Sequence, residues 1–292
     1  MMQLGMFAQE NTVDALVGRI RDAHERGFAR AWVPQIFAVD ALTVLAIAGR
    51  EVPGIGLGTA VVPTYPRHPM ALATQARTIS QVSDGRFTLG IGLSHRVVIE
   101  NMLGMKWGEV RHLREYLSIL LPLLADEPAD FAGETLTGRL ALTIPAKPVP
   151  VVVAALGPKM LDLAGRLTAG TTTWVTGLDT LRDYVVPTIR AAAEAAGRPE
   201  PQVVAALPVA VTDDADTARK IAAKAFAVYG QLPSYRSMLD REGAGGPADV
   251  AIIGDESTVR ARIAAFADAG VTEFVVVPFF ERERTLDAVA TL

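Results

Sequence analysis

The chain has 292 residues, with 28 Lys and Arg against 32 Asp and Glu, no Cys, and 50% hydrophobic residues. That balance carries no basic footprint for nucleic acid or an anionic membrane surface. The lack of Cys excludes disulfides, thiolate metal sites and Cys nucleophiles. At this length roughly three quarters of the open-chain surface is within reach of burial, so one large core is feasible.

Met1-Met2-Gln3-Leu4-Gly5 has neither the basic region nor the apolar core of a signal peptide. No stretch approaches ~18 uninterrupted apolar residues. A soluble cytoplasmic protein is expected, with a small-molecule substrate as its partner and no nucleic acid or membrane.

Short apolar runs bounded by Gly, Pro or Asp start near Gln3, Ala31, Gly54, Phe87, Val151, Thr171, Gln202 and Thr272, each followed by a helix-periodic segment. Such alternation predicts an α/β protein with a parallel sheet, and eight units predict closure into a (β/α)8 TIM barrel, one domain over 1–292. In the first helix Val13, Leu16, Val17 and Ile20 share a face, Asn11-Thr12 is the cap and Gly27 the stop. Two steps are long, which places insertions after strand 4 (about 126–148) and after strand 7 (about 230–250). Phe131-Ala132-Gly133-Glu134-Thr135 and Leu140-Ala141-Leu142-Thr143 read as a hairpin. A short helix from Pro233 to Arg241 and the turn-rich Gly243-Ala244-Gly245-Gly246-Pro247 read as a mobile lid. Val259, Ile263, Phe266 and Ala267 line the penultimate helix, capped by Asp255 or Ser257 and closed by Gly270.

In such a barrel the reactive groups lie at the carboxyl ends of the strands. That selects Gln9 and Glu10, Gln35, Ala60 through His68, Ser94 and His95, Leu156 through Met160, Val175 through Gly177, and Phe279 with Phe280. Gly54-Ile55-Gly56-Leu57-Gly58 and Gly90-Ile91-Gly92 imitate a dinucleotide fingerprint, but they lie inside strands and not in a turn opening a helix. Alternating Gly permits close packing or the approach of a flat ligand, and close packing is the favoured reading.

Gly157 and Pro158 open a helix whose stripe is Met160, Leu163, Ala164 and Leu167. Lys159 then opposes the helix dipole by roughly 0.3 to 1 kcal/mol unless an anion lies between it and the free N–H groups. A phosphate site and a plain solvated Lys both fit. His68 and His95 fall on the rim, with Tyr65 and Arg67 beside His68, as ligand contacts or as an ordinary polar turn. His24 and His112 fall on helices, and four His without paired spacing make no metal site. Trp174 reads as core and Glu281-Arg282-Glu283-Arg284 as a solvated helix start.

Trp32 through Phe37 with Asp40 through Thr43, Gly56 through Pro69, Gly85 through His95, Val153 through Ala164 and Trp174 through Gly177 together resemble the luciferase-like monooxygenase superfamily, in its coenzyme F420-dependent oxidoreductase branch. The resemblance implies a homodimeric barrel with a flavin or deazaflavin at its mouth, and a bulge after the third strand with a non-proline cis peptide at Ala60-Val61. It places the cofactor's phosphate-bearing tail at Gly157, Pro158, Lys159 and Met160, and its remainder near Gln35, Ala60, Val61, Ser94, His95, Thr176 and Gly177. Alcohol and sugar-phosphate dehydrogenases of the superfamily carry an Asp-His pair where this chain has Gln35-Ile36. The expected activity is therefore hydride transfer in the reducing direction, with His95, then His68 or Tyr65, as proton donor. An FMN-dependent monooxygenase and a non-catalytic flavin- or deazaflavin-binding barrel remain as alternatives. Aldolase or isomerase chemistry ranks last for want of a well-placed Lys.

Overall fold

The computed structural model describes residues 2–108 and 110–290. Among the described residues, eight parallel strands close on themselves: β1 (Gln3–Phe7), β2 (Arg30–Val33), β3 (Gly56–Thr59), β4 (Phe87–Gly92), β5 (Val151–Val153), β6 (Gly170–Trp174), β7 (Gln202–Val211) and β8 (Glu273–Pro278). Each pairs with the next, and β8 returns to β1. The sequence places every strand start within two residues of its position.

One face of each strand packs on the surrounding helices and the other fills the barrel. Inside, Trp32, Val152, Val204, Ala206, Val275 and Val277 form a cluster of their own, bordered by Phe7, Ala60 and Trp174. Toward the amino end Trp32 is 1% exposed. Its Nε1 donates to Glu273 Oε1 (2.6 Å), whose other oxygen accepts from Arg30 Nε (3.2 Å), while Arg30 Nη1 donates to Thr88 Oγ1 (2.6 Å). The glycines of the early strands make room for this plug. A Cβ on Gly58 would lie 2.5 Å from the Trp32 ring, and one on Gly5 would lie 2.6 Å from Glu273 Oε1. Close packing is what the alternating Gly pattern provides.

β3 pairs with β4 as Leu57↔Phe87 and Gly58↔Thr88, and pairing resumes as Val62↔Ile91 and Pro63↔Gly92. One extra residue on the β3 side makes a bulge. The Thr59 hydroxyl bridges the gap, donating to Gly90 O (2.8 Å) and accepting from Gly90 N (2.9 Å). The Ala60-Val61 peptide inside the bulge is cis.

Thr12 caps the first helix and Asp255 the penultimate one, while Gly27 and Gly270 follow their ends at φ +88. Ala267 is exposed and does not join the stripe of Val259, Ile263 and Phe266. In the helix Pro158–Leu167 the buried residues are Leu161, Leu163, Ala164 and Gly165, and Leu167 is 36% exposed. A close crossing rotates that face: a Cβ on Gly165 would meet Ile189 O at 2.6 Å and Ala192 at 2.8 Å on the neighbouring helix.

Between the helix Val110–Leu124 and β5 lies an antiparallel pair, Ala129–Ala132 with Thr137–Leu140. Glu115 holds its turn, accepting from the N–H groups of Glu134 (3.0 Å), Thr135 (2.9 Å) and Leu136 (3.1 Å) and from Thr135 Oγ1 (2.7 Å). These donors hold its carboxyl well below the usual range, at about 2. After β7 come the helices Ala215–Ala225, Pro233–Glu242 and Pro247–Val250, and a strand Ile252–Gly254 that pairs outside the barrel on β7.

Candidate functional site

Strand ends β1 to β8 surround one mouth, where side chains that face the barrel axis emerge partly exposed. Across β3, β4 and β5 these are small. Ala60 sits in the bulge, Gly92 ends β4, and a Cβ on Gly92 would meet Val61 at 2.9 Å and Ala154 at 3.2 Å. The result is a shallow floor of methyl groups and backbone. Ser94 just beyond β4 (φ 63) and Val175 just beyond β6 (φ 52) take left-handed backbone, which turns the chain sharply out of each strand.

Two helix starts face this mouth with opposite electrostatics. The helix Pro158–Leu167 begins at Gly157 with no side-chain cap, and nothing lies within 4 Å of where a Gly157 Cβ would sit. Beside it is a cavity of about 320 Å³ lined by Val110, Arg114, Pro158, Lys159 and Asp162. Uncapped N–H groups with two exposed cations nearby favour an anion. After β6 the opposite holds. Glu242, at the end of the helix Pro233–Glu242, accepts from Asp179 N (3.2 Å) and Thr180 N (2.7 Å), so the protein's own carboxylate fills that start. Gly177 lies under Glu242, and Thr176 is 1% exposed with its hydroxyl donating to Trp174 O (3.3 Å). Gly157, Pro158 and Lys159 border the open start, Met160 packs against the core with its N–H donating to Gly157 O (3.0 Å), and Thr176 and Gly177 are buried beside Glu242.

His95 stands half-buried at the end of β4, its ring 5.7 Å from that of Tyr235. Burial pulls its pKa below 6.5, so the imidazole is neutral at neutral pH. His68 is exposed and caps the helix Pro69–Val82, its Nδ1 accepting from Met70 N (3.3 Å). Tyr65 is turned inward: its hydroxyl donates to Gly108 O (2.8 Å) and accepts from Gly108 N (2.7 Å), and its ring stacks on His112 at 4.1 Å. Both thus serve the loops around the mouth. Gln35 Oε1 accepts from Ala41 N (2.9 Å), which ties the β2 loop to the next helix.

Trp174 packs against the core as the sequence reading has it, and keeps part of its side chain exposed where its strand ends. Arg282 is half-buried against Glu10 (3.3 Å), contrary to expectation, because the last helix folds back onto the first, where Glu283 also reaches Arg19 (3.1 Å). Sequence reasoning missed Arg114, Phe226, Tyr229, Tyr235 and Glu242. Three aromatic residues within 226–235, in a chain only 6% aromatic, were the available signal for part of that group. Among the described residues no group of three or more His, Asp or Glu is arranged to hold a metal ion, and no helix is long and apolar enough to cross a membrane.

A barrel with a bulged third strand, a small-residue floor and an anion-receptive helix start defines a class of flat-cofactor enzymes. Residues 2–273 match the luciferase-like monooxygenase model, and the chain belongs to that family. It is 27% identical over 286 residues to an F420-dependent glucose-6-phosphate dehydrogenase of Kineococcus radiotolerans, covering 87% of this chain and 83% of that protein. In structure it is similar to the coenzyme F420-dependent tetrahydromethanopterin reductase of Methanopyrus kandleri, with TM-score 0.84, 22% identity, and 99% and 97% of the two chains covered. It is also similar to the oxygenating constituent of 3,6-diketocamphane monooxygenase from Pseudomonas putida, solved with FMN, with TM-score 0.79, 17% identity, and 99% and 97% covered.

Proposed function

We propose that the protein is a coenzyme F420-dependent oxidoreductase that transfers a hydride between the deazaflavin and a small organic substrate, operating as a reductase. The observation that carries this reading is the uncapped start of the helix Pro158–Leu167, open in front of Gly157 and flanked by Lys159 and Arg114. The residues present fit the cofactor. Ala60, Val61, Gly92 and Ala154 would support a flat ring, and Gly157 through Met160 would receive a phosphate.

The deazaflavin, when bound, supplies two-electron hydride chemistry without oxygen activation. The chain orients the reactants and handles the proton. His95 is the half-buried titratable side chain at the end of β4; the neutral imidazole there holds a hydrogen bond to a substrate oxygen, and its protonated form passes a proton to that oxygen and returns to neutral. Gln35 supports the reducing direction. Gln35-Ile36 stands where alcohol and sugar-phosphate dehydrogenases of the superfamily carry an Asp-His pair, and the Gln35 side-chain oxygen accepts from Ala41 N. The expected form is a cytoplasmic homodimer, which rests on the family resemblance and on the composition.

Parallel calorimetric titrations with F420 and FMN test the reading. Micromolar F420 binding is expected. Micromolar FMN binding with no heat from F420 overturns it in favour of a monooxygenase.

A further inference from the structure

The side of the mouth opposite the small floor is aromatic. Phe279, just past β8, meets Phe226 at 5.7 Å, Phe226 meets Trp174 at 5.6 Å, and Trp174 meets Tyr229 at 5.6 Å. Tyr229 meets Tyr235 at 5.3 Å, and Tyr235 leans on His95 at 5.7 Å. The first four contacts are edge-to-face, with interplanar angles of 75° to 86°, so the rings form a continuous rigid wall from β8 across β6 to β4.

None of the six rings is fully buried. Each keeps some exposed surface, while Trp174 and Tyr229 also pack on the main core and Phe226 and Phe279 on a smaller cluster. The charged side chains of the helix Pro233–Glu242 are already engaged: Arg236 pairs with Asp240 (2.8 Å) and donates to Ala244 O and Gly245 O, Arg241 lies over Tyr184 at 4.0 Å, and Glu242 accepts from Asp179 N and Thr180 N. A charged substrate pressed against these rings would lose hydration with no partner to replace it. An apolar ring would lose nothing and gain stacking.

We infer that this wall selects the substrate, and that the substrate is an uncharged, flat ring compound bearing one carbonyl oxygen, directed to the His95 end. The inference rests on the reading above, which puts the hydride donor on the Ala60, Gly92 and Ala154 floor facing the wall. It separates this chain from its sugar-phosphate relative, because the wall offers rings and neutral donors where a phosphorylated sugar needs free cations.

Calorimetric titration of the purified protein, without cofactor and with saturating F420, tests this with 2-cyclohexen-1-one, 1-tetralone and glucose 6-phosphate as probes. Saturable binding of the ring ketones under either condition is expected, with none of glucose 6-phosphate. Phe226→Ala should raise the ketone Kd about tenfold, the loss of one aromatic contact with its buried area. Tyr229→Leu serves the same purpose should Phe226→Ala fail to fold. Glucose 6-phosphate binding as tightly as the ketones, no ketone binding under either condition, or an unchanged Kd in a folded variant overturns the inference. The failures are distinguishable. Ketone binding without F420 binding removes the cofactor reading alone, and F420 binding without ketone binding removes the substrate class alone.

Discussion

Replacing Glu115 by Gln should loosen the hairpin that precedes β5. The carboxylate is 7% exposed and accepts four hydrogen bonds from the hairpin turn. Its pKa lies at about 2 in the fold against 4.5 in the open chain. That difference is worth about 3 kcal/mol at pH 7, and the amide variant loses it while turning an NH2 group toward N–H donors. Because the folded pKa is the lower one, the stabilisation is complete above pH 4.5 and disappears as pH falls through about 2. At pH 3 a little under half of it survives. Thermal unfolding followed by circular dichroism should therefore show a Tm gap between wild type and variant of about 6 °C at pH 7, shrinking to about 3 °C at pH 3. A gap under about 1 °C at pH 7, or one equal at both pH values, refutes the reasoning, since either means that the four donors do not see a charged acceptor.

Lys159→Glu should weaken F420 binding at least about tenfold while leaving Tm within about 2 °C, because an acidic residue in a first helical turn is locally favourable; equal affinity in calorimetry removes the phosphate site. Gly58→Ala should cost about 1 to 3 kcal/mol in denaturant unfolding, since its Cβ would lie 2.5 Å from the Trp32 ring, whereas Gly18→Ala, with nothing within 4 Å, should stabilise by about 0.5 to 1 kcal/mol. Equal effects would contradict the packing account. For the reductase, kcat should rise as pH falls below 6.5, because the depressed His95 pKa delays formation of the acid form. His95→Ala should lose that limb together with about a hundredfold in kcat; an unchanged profile moves the proton to solvent.

The barrel was legible because its signals are local. Gly, Pro or Asp punctuation and apolar runs mark Gln3–Phe7, Phe87–Gly92 and Val151–Val153 without reference to anything distant. The helix start at Gly157-Pro158 was legible for the same reason. What escaped depends on chain crossings that no short window contains. Gly165 turns the stripe of its helix by touching a neighbour 24 residues on, at Ile189. Glu242 reaches 62 residues back to accept from Thr180 N and packs beside Gly177. The inserted rings Phe226, Tyr229 and Tyr235 acquire meaning only once Trp174 and Phe279 are set beside them. His68 and Tyr65 have the right chemistry for proton donors, and no short window shows that Met70 N takes His68 Nδ1 or that Gly108 takes the Tyr65 hydroxyl.

The Trp32 plug governs traffic. With an indole wedged by Glu273 and Arg30 across the amino end, nothing enters from below, and both reactants share a single doorway. A coenzyme lying flat on the Ala60 and Gly92 floor would then share one way in and out with its co-reactant, so whichever of the two sits deeper would leave last.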